Sequence, residues 1–119
     1  MASASELLNL AELDISNTGA SSLAPLKELP LTILKASGNQ ISDVSPIAHI
    51  KFSELDLHNN NIVSVPGDFN GAVGFCGFNN FRGSALSLMG VEVLEGLCDK
   101  SGASVHWDGG SCSSCFTVP

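Results

Sequence analysis

The sequence predicts an α/β solenoid, a short horseshoe of strand-and-turn units stacked on a common apolar spine. Three observations predict it: apolar residues recur every 21 positions, asparagines hold one fixed place in that interval, and the composition is that of a folded chain. Apolar side chains make up 44% of the 119 residues and charged ones 14%, which supports one core but not two.

The interval is read first at Leu10, Leu31, Phe52 and Val73, which open four successive blocks. Their fourth positions are Leu13, Leu34, Leu55 and Cys76, and their sixth are Ile15, Ala36, Leu57 and Phe78. The eleventh positions are Ala20, Ile41, Ile62 and Gly83, and the fourteenth are Leu23, Val44, Val65 and Leu86; Gly83 alone breaks the apolar pattern. Leu88, Val91, Val93, Gly96 and Cys98 repeat the same offsets after a shortened spacing, which predicts a fifth unit with a strand at Val91-Glu92-Val93. These units assign residues 1–98 to the repeats and 99–119 to a Cys-containing cap. The cap is rich in Gly and Ser, which predicts loops, and Trp107 is its expected apolar anchor.

The third block, Phe52-Ser53-Glu54-Leu55-Asp56-Leu57-His58-Asn59-Asn60-Asn61-Ile62, resembles the leucine-rich-repeat consensus L-x-x-L-x-L-x-x-N-x-L at every defined position. The resemblance implies a right-handed solenoid with a parallel sheet on its concave face. It makes Asn39 and Asn60 ladder residues, whose amides pair backbone groups of adjacent turns that would otherwise be buried unpaired. Thr18 offers a weaker version of that bond, and Phe81 none. The convex segments Ser22-Leu23-Ala24-Pro25-Leu26 and Ile41-Ser42-Asp43-Val44-Ser45-Pro46-Ile47 resemble the 21- to 22-residue repeats of bacterial internalins. Proline there forbids a central strand and predicts short 3-10 or irregular turns. Asp68 replaces Leu26 and Ile47 in the third block, so its convex side is expected to pack differently.

At the other end, Leu8 matches Leu29 and Ile50, so the chain begins inside a repeat without a polar capping unit. This implies either the C-terminal piece of a longer array or an open first face that meets a partner or a second copy.

Residues between the buried positions of each strand face outward. The third column is Glu12, Ile33, Glu54 and Phe75; the fifth is Asp14, Lys35, Asp56 and Gly77; the seventh is Ser16, Ser37, His58 and Asn79. From these, Glu12, Asp14, Ile33, Lys35, Glu54, Asp56, His58, Phe75 and Asn79 form the candidate binding face, with Ile33 and Phe75 as apolar anchors for a protein or peptide. The competing reading is an acidic solvated face with Phe75 tucked under the cap.

Cys76, Cys98, Cys112 and Cys115 all fall in the last part of the chain and admit three pairings. They resemble the disulfide-bearing caps of extracellular leucine-rich-repeat proteins. Cys76 also reads as a buried thiol at a strand position. Cys112-Ser113-Ser114-Cys115 has redox-motif spacing without a strand-to-helix setting, and zinc held with His106 lacks a second close pair. Gly74-Phe75-Cys76-Gly77, Val91-Glu92-Val93 and the spaced Cys tail together resemble the closing unit of leucine-rich-repeat surface antigens of kinetoplastid parasites. That resemblance implies a secreted or cell-surface location; fully reduced cysteines would instead imply the cytoplasm.

Five Lys and Arg against twelve Asp and Glu give a net charge of −7, which repels nucleic acid and anionic lipid. No apolar run approaches the roughly 20 residues of a membrane span, and Met1 to Asn9 lacks the basic and apolar regions of a signal peptide. No nucleophile elbow, phosphate loop or zinc-protease motif is present, so the expectation is a non-enzymatic recognition module without cofactor or metal. A structural repeat unit is the alternative.

Overall fold

Positions four and six of each block bury alternate side chains about the strand, position one adds a third apolar contact, and the spacing between blocks decides what stacks on what. The computed structural model describes residues 11–72, 77–101 and 103–113. Six strands form one sheet in chain order: β1 (Glu12–Asp14), β2 (Ile33–Lys35), β3 (Glu54–Asp56), β4 (Gly77–Asn80), β5 (Ala103–Trp107) and β6 (Gly110–Ser113). β1 to β5 run parallel, and β6 returns antiparallel to β5.

Parallel neighbours require crossovers. The first two contain 3-10 turns, Ala24–Leu26 and Ser45–Ile47, each with its proline in the first turn, where the missing N–H is not needed. The described part of the third, up to Ala72, holds neither a helix nor a 3-10 turn, and Asp68 stands there in place of Leu26 and Ile47. The fourth carries helix α1 (Leu88–Ser101).

The 21-residue interval sets the register of the first three strands: Leu13 lies opposite Leu34, and Leu34 opposite Leu55. Leu31, Leu34, Ala36, Ile41 and Val44 are buried, as are Phe52, Leu55, Leu57, Ile62 and Val65 in the next unit. Each fully buried aliphatic side chain stabilises the stack by about 1.5–3 kcal/mol.

Backbone turns outside the strands are stacked as closely as the side chains. Asn17, Gly38, Asn59 and Gly83 occupy one column, all with positive φ. A Cβ at Gly38 would collide with the Asn17 side chain, and one at Gly83 with Asn59, whose backbone N and Cα would lie 2.8 and 2.9 Å away. Side chains also bridge the convex edge: His49 Nε2 donates to the Lys27 carbonyl at 2.8 Å, and Asn70 Nδ2 to the His49 carbonyl at 3.1 Å.

The fourth block departs from the expected register. Phe52 still bridges to Ala72, but Glu54 pairs with Phe78, so Asn79 lies opposite Leu55 and Asn80 opposite Asp56. The step from β3 to β4 is therefore 24 residues rather than 21. A slip of three, an odd number, exchanges the two faces of a strand. Phe78, expected in the core, points outward and is partly exposed, whereas Asn79, expected on the binding face, is fully buried. Phe81 takes the core place under Leu57 and packs edge-on against Phe69, with ring centroids 5.9 Å apart.

Nor is the expected fifth strand found. Val91-Glu92-Val93 lies inside α1, whose buried residues Gly90, Leu94, Leu97 and Cys98 recur at helical spacing, while Glu92 and Glu95 face solvent. The β-branched valines mimic a strand, but the acids between the apolar residues keep a period near 3.6. Leu88, assigned to the same strand, is 84% exposed. The fifth strand is β5, where Ala103, Val105 and Trp107 are buried and Ser104 and His106 alternate outward. A tight turn at Asp108-Gly109, with φ of +88° at Gly109, folds β6 back onto it. The boundary expected at residue 98 thus falls within α1, and the following segment is a hairpin that continues the sheet.

Candidate recognition face

The outward columns follow from the observed pairing. One runs Glu12, Ile33, Glu54, Phe78 and Ser104; its neighbour runs Asp14, Lys35, Asp56, Asn80 and His106. Phe75 and Cys76 lie outside the described residues.

Several of these side chains serve the backbone. The Asp14 carboxylate accepts the Ser16 N–H at 2.9 Å, Asp56 accepts the His58 N–H at 3.2 Å, and Asn80 accepts the Arg82 N–H at 3.1 Å. These are Asx turns that end each strand. At Asp14 the Ser16 backbone N–H and then its hydroxyl hold the carboxyl below its ordinary value, with Lys35 adding a smaller effect. On the opposite edge Asp43 is likewise lowered, first by the Ser45 hydroxyl and then by its N–H. Asp56 also bonds His58 Nδ1 at 2.7 Å, which fixes that imidazole beside the third strand.

Charge on the face is unevenly spread. Lys35 lies 3.8 Å from Glu54, both half-exposed, and is the single cation on the outward positions of β1 to β3, against Glu12, Asp14, Glu54 and Asp56. The β4 and β5 end is aromatic: the Phe78 and His106 rings lie 5.5 Å apart at 44°, and His106 Nε2 is 3.1 Å from the Ser104 hydroxyl. Ile33 lies between the two acidic strands and is partly exposed. Neither Phe78 nor His106 was assigned to this face from sequence. The alternation Ala103, Val105, Trp107 before Asp108-Gly109 is the signal that places His106 there.

Beneath the face, Asn39 Oδ1 accepts the Thr18 and Ala20 N–H groups at 3.0 and 3.1 Å, and its amide donates to the Ile15 and Ala36 carbonyls at 2.9 and 3.1 Å. Asn60 repeats this one turn on, with Ile41 N–H and the Ala36 and Leu57 carbonyls. The next rung is Ser84, whose hydroxyl accepts the Ile62 N–H at 3.2 Å. Sequence spacing misses Ser84 because the interval has lengthened to 24.

Asn79 has a different task. Its Oδ1 accepts the Ala72 N–H at 2.6 Å and its amide donates to the Ala72 carbonyl at 2.8 Å, clasping the two ends of the 72–79 segment. A further bond to the Ser104 carbonyl at 3.2 Å ties this clasp to β5.

Cys98 and Cys112 form a disulfide across 14 residues, with Cα atoms 6.2 Å apart, and so bind α1 to β6. Cys112 is therefore paired outside its own Cys-x-x-Cys motif, contrary to the redox reading, and the bonded sulfurs do not supply thiolates for zinc. Cys76 and Cys115 lie outside the described residues. No group of three or more potential ligands for a metal occurs among the described residues.

Residues 51–72 match the Leucine Rich Repeat family model. The match supports a leucine-rich-repeat protein. It covers the block in which Phe52, Leu55, Leu57, Asn60, Ile62 and Val65 are all buried. No curated protein and no solved structure matches the chain. Leucine-rich repeats generally mediate protein–protein interaction and are typically non-enzymatic. The six-stranded sheet with its single described helix fits an α/β fold of leucine-rich-repeat type. Among the described residues no helix is long and apolar enough to cross a membrane.

Proposed function

We propose that this chain is a non-enzymatic recognition module, a short leucine-rich-repeat solenoid that binds a protein or peptide partner on the outward face of its sheet. The observation that carries this reading is the Phe78–His106 ring pair, which, with Ile33, places apolar surface on the solvent side of strands whose other side already fills the core. Aromatic anchors rimmed by polar groups are the usual centre of a binding surface. Glu12, Asp14, Lys35, Glu54, Asp56 and His58 form the surround. Asn79 is excluded by its burial. The Cys98–Cys112 disulfide favours an oxidising compartment, and we place the protein at the cell surface or in the extracellular space on that ground.

Capture of partners by the wild-type chain and by Ile33→Ala/Phe78→Ala tests the reading. A specific partner should lose at least about tenfold in affinity for the double variant. It should be retained by Leu88→Ser, on the exposed start of α1. Equal capture by all three proteins would exclude this face as the site.

A second reading has its own observation. Leu13 in β1 and Ile15 just after it are only partly buried, whereas Leu34 and Ala36 below them are fully covered. This favours a scaffold role in which β1 packs on further repeats or on a second copy.

A further inference from the structure

Resting on the recognition reading, we infer that the sheet face accepts a cationic amphipathic helix of another protein, laid across the strands, with basic and apolar side chains on alternate turns. The pairing fixes the order of chemistry along one column: Glu12, Ile33, Glu54, Phe78, that is acid, aliphatic, acid, aromatic. Adjacent strands stand about 4.8 Å apart.

That step selects the shape of the ligand. Successive turns of a helix lie about 5.4 Å apart, so a helix drifts only about 0.6 Å per strand against this column. An extended peptide presents same-face side chains about 6.8 Å apart and loses register by about 2 Å at every strand. A helix therefore keeps one turn over each of the four residues, and an extended chain does not.

Charge selects the sign. The outward positions of β1 to β3 carry four carboxylates against Lys35, and Lys35 already lies beside Glu54. Among the described residues Glu12 has no ion-pair partner. The far end is different: Asn80 and Ser104 bear no charge and surround the Phe78 and His106 rings. A basic side chain fits over Glu12 and Glu54, and an apolar one over Ile33 and Phe78. A uniformly basic segment would leave Ile33 unmatched, and a uniformly apolar one would desolvate Glu12 without compensation.

The test uses the full chain and three synthetic helical peptides of about fifteen residues. One carries Lys and Leu on alternate turns of one face, one has Glu in place of Lys, and one is a scramble of the first. The first should bind, with amide shifts concentrated at Glu12, Ile33, Glu54 and Phe78 and with affinity falling as salt rises. Glu54→Lys and, independently, Glu12→Lys should each weaken it about tenfold, while Leu88→Ser should leave it unchanged. Equal binding of the Glu peptide, or indifference to both charge reversals, would overturn the cationic assignment. Equal binding of the scramble would overturn the helical register. Neither result touches the recognition face itself, which fails only if captured partners ignore Ile33→Ala/Phe78→Ala.

Discussion

Asparagine does several separate jobs among the described residues, and its surroundings decide which. Asn17 and Asn59 adopt positive φ at the turn after a strand, Asn39 and Asn60 pair buried backbone groups between turns, Asn79 ties Ala72 to β4, and Asn80 accepts the Arg82 N–H. Asn60 satisfies one N–H and two carbonyls that have no access to water. Asn60→Ala should therefore destabilise the protein by about 3 kcal/mol. Asn39→Ala, whose rung borders exposed Thr18, should remove about 1 kcal/mol; urea unfolding of both variants gives the order. The acids of the Asx turns behave differently because they titrate. Asp14 and Asp43 have folded-state values below the ordinary 3.8. Their contribution is present above that value and lost as pH falls through the depressed one. Asp14→Asn/Asp43→Asn keeps an acceptor oxygen at each turn but removes the proton-binding step. The decline in urea midpoint between about pH 5 and pH 2 should then be shallower than in the wild type.

Legibility in the sequence divides at one element, β4. Up to Ala72 the apolar interval gave the register directly, because Leu34, Leu55 and their neighbours keep a constant spacing and no other residues compete for the core. Beyond it, Phe78 and Phe81 are both aromatic, three positions apart, and each fits the slot under Leu57 by chemistry alone. The deciding signal was subtler: Phe81-Arg82-Gly83-Ser84-Ala85-Leu86 repeats the pattern of Leu57 to Ile62, with Gly83 at the left-handed place of Asn59. α1 was obscured for another reason, since valines at 91 and 93 carry strand preference that packing overrides. The outward columns of the sheet were accordingly legible at Glu12, Asp14, Ile33, Lys35, Glu54 and Asp56 but not at Phe78 or His106. The helix and hairpin are held together by one covalent tie. Reducing Cys98–Cys112 opens a loop of 14 residues and should lower stability by about 3 kcal/mol. Calorimetry of the oxidised chain and its Cys98→Ser/Cys112→Ser variant measures this.

Across the whole molecule, each strand leans only on its immediate neighbours, so stability should vary along the stack. β3 is flanked by β2 and β4, and Leu55 within it and Leu57 just after it are completely buried, whereas β1 has one described neighbour, and Leu13 within it and Ile15 just after it stay partly exposed. Hydrogen exchange should accordingly be slowest at the amides of Leu55 and Leu57 and faster at Leu13 and Ile15. Uniform protection across these strands would mean that the stack opens only as a unit.

The three extra residues before β4 have a consequence for how such a surface arises. Held to the constant interval of 21, the same chain would place Phe78 in the slot of Phe81 and turn Asn79 out to water. The aromatic platform would vanish although every side chain that composes it remained in the sequence. What the protein displays is thus governed by strand register as much as by amino-acid identity, and a slip of three positions converts core material into outward surface in a single step.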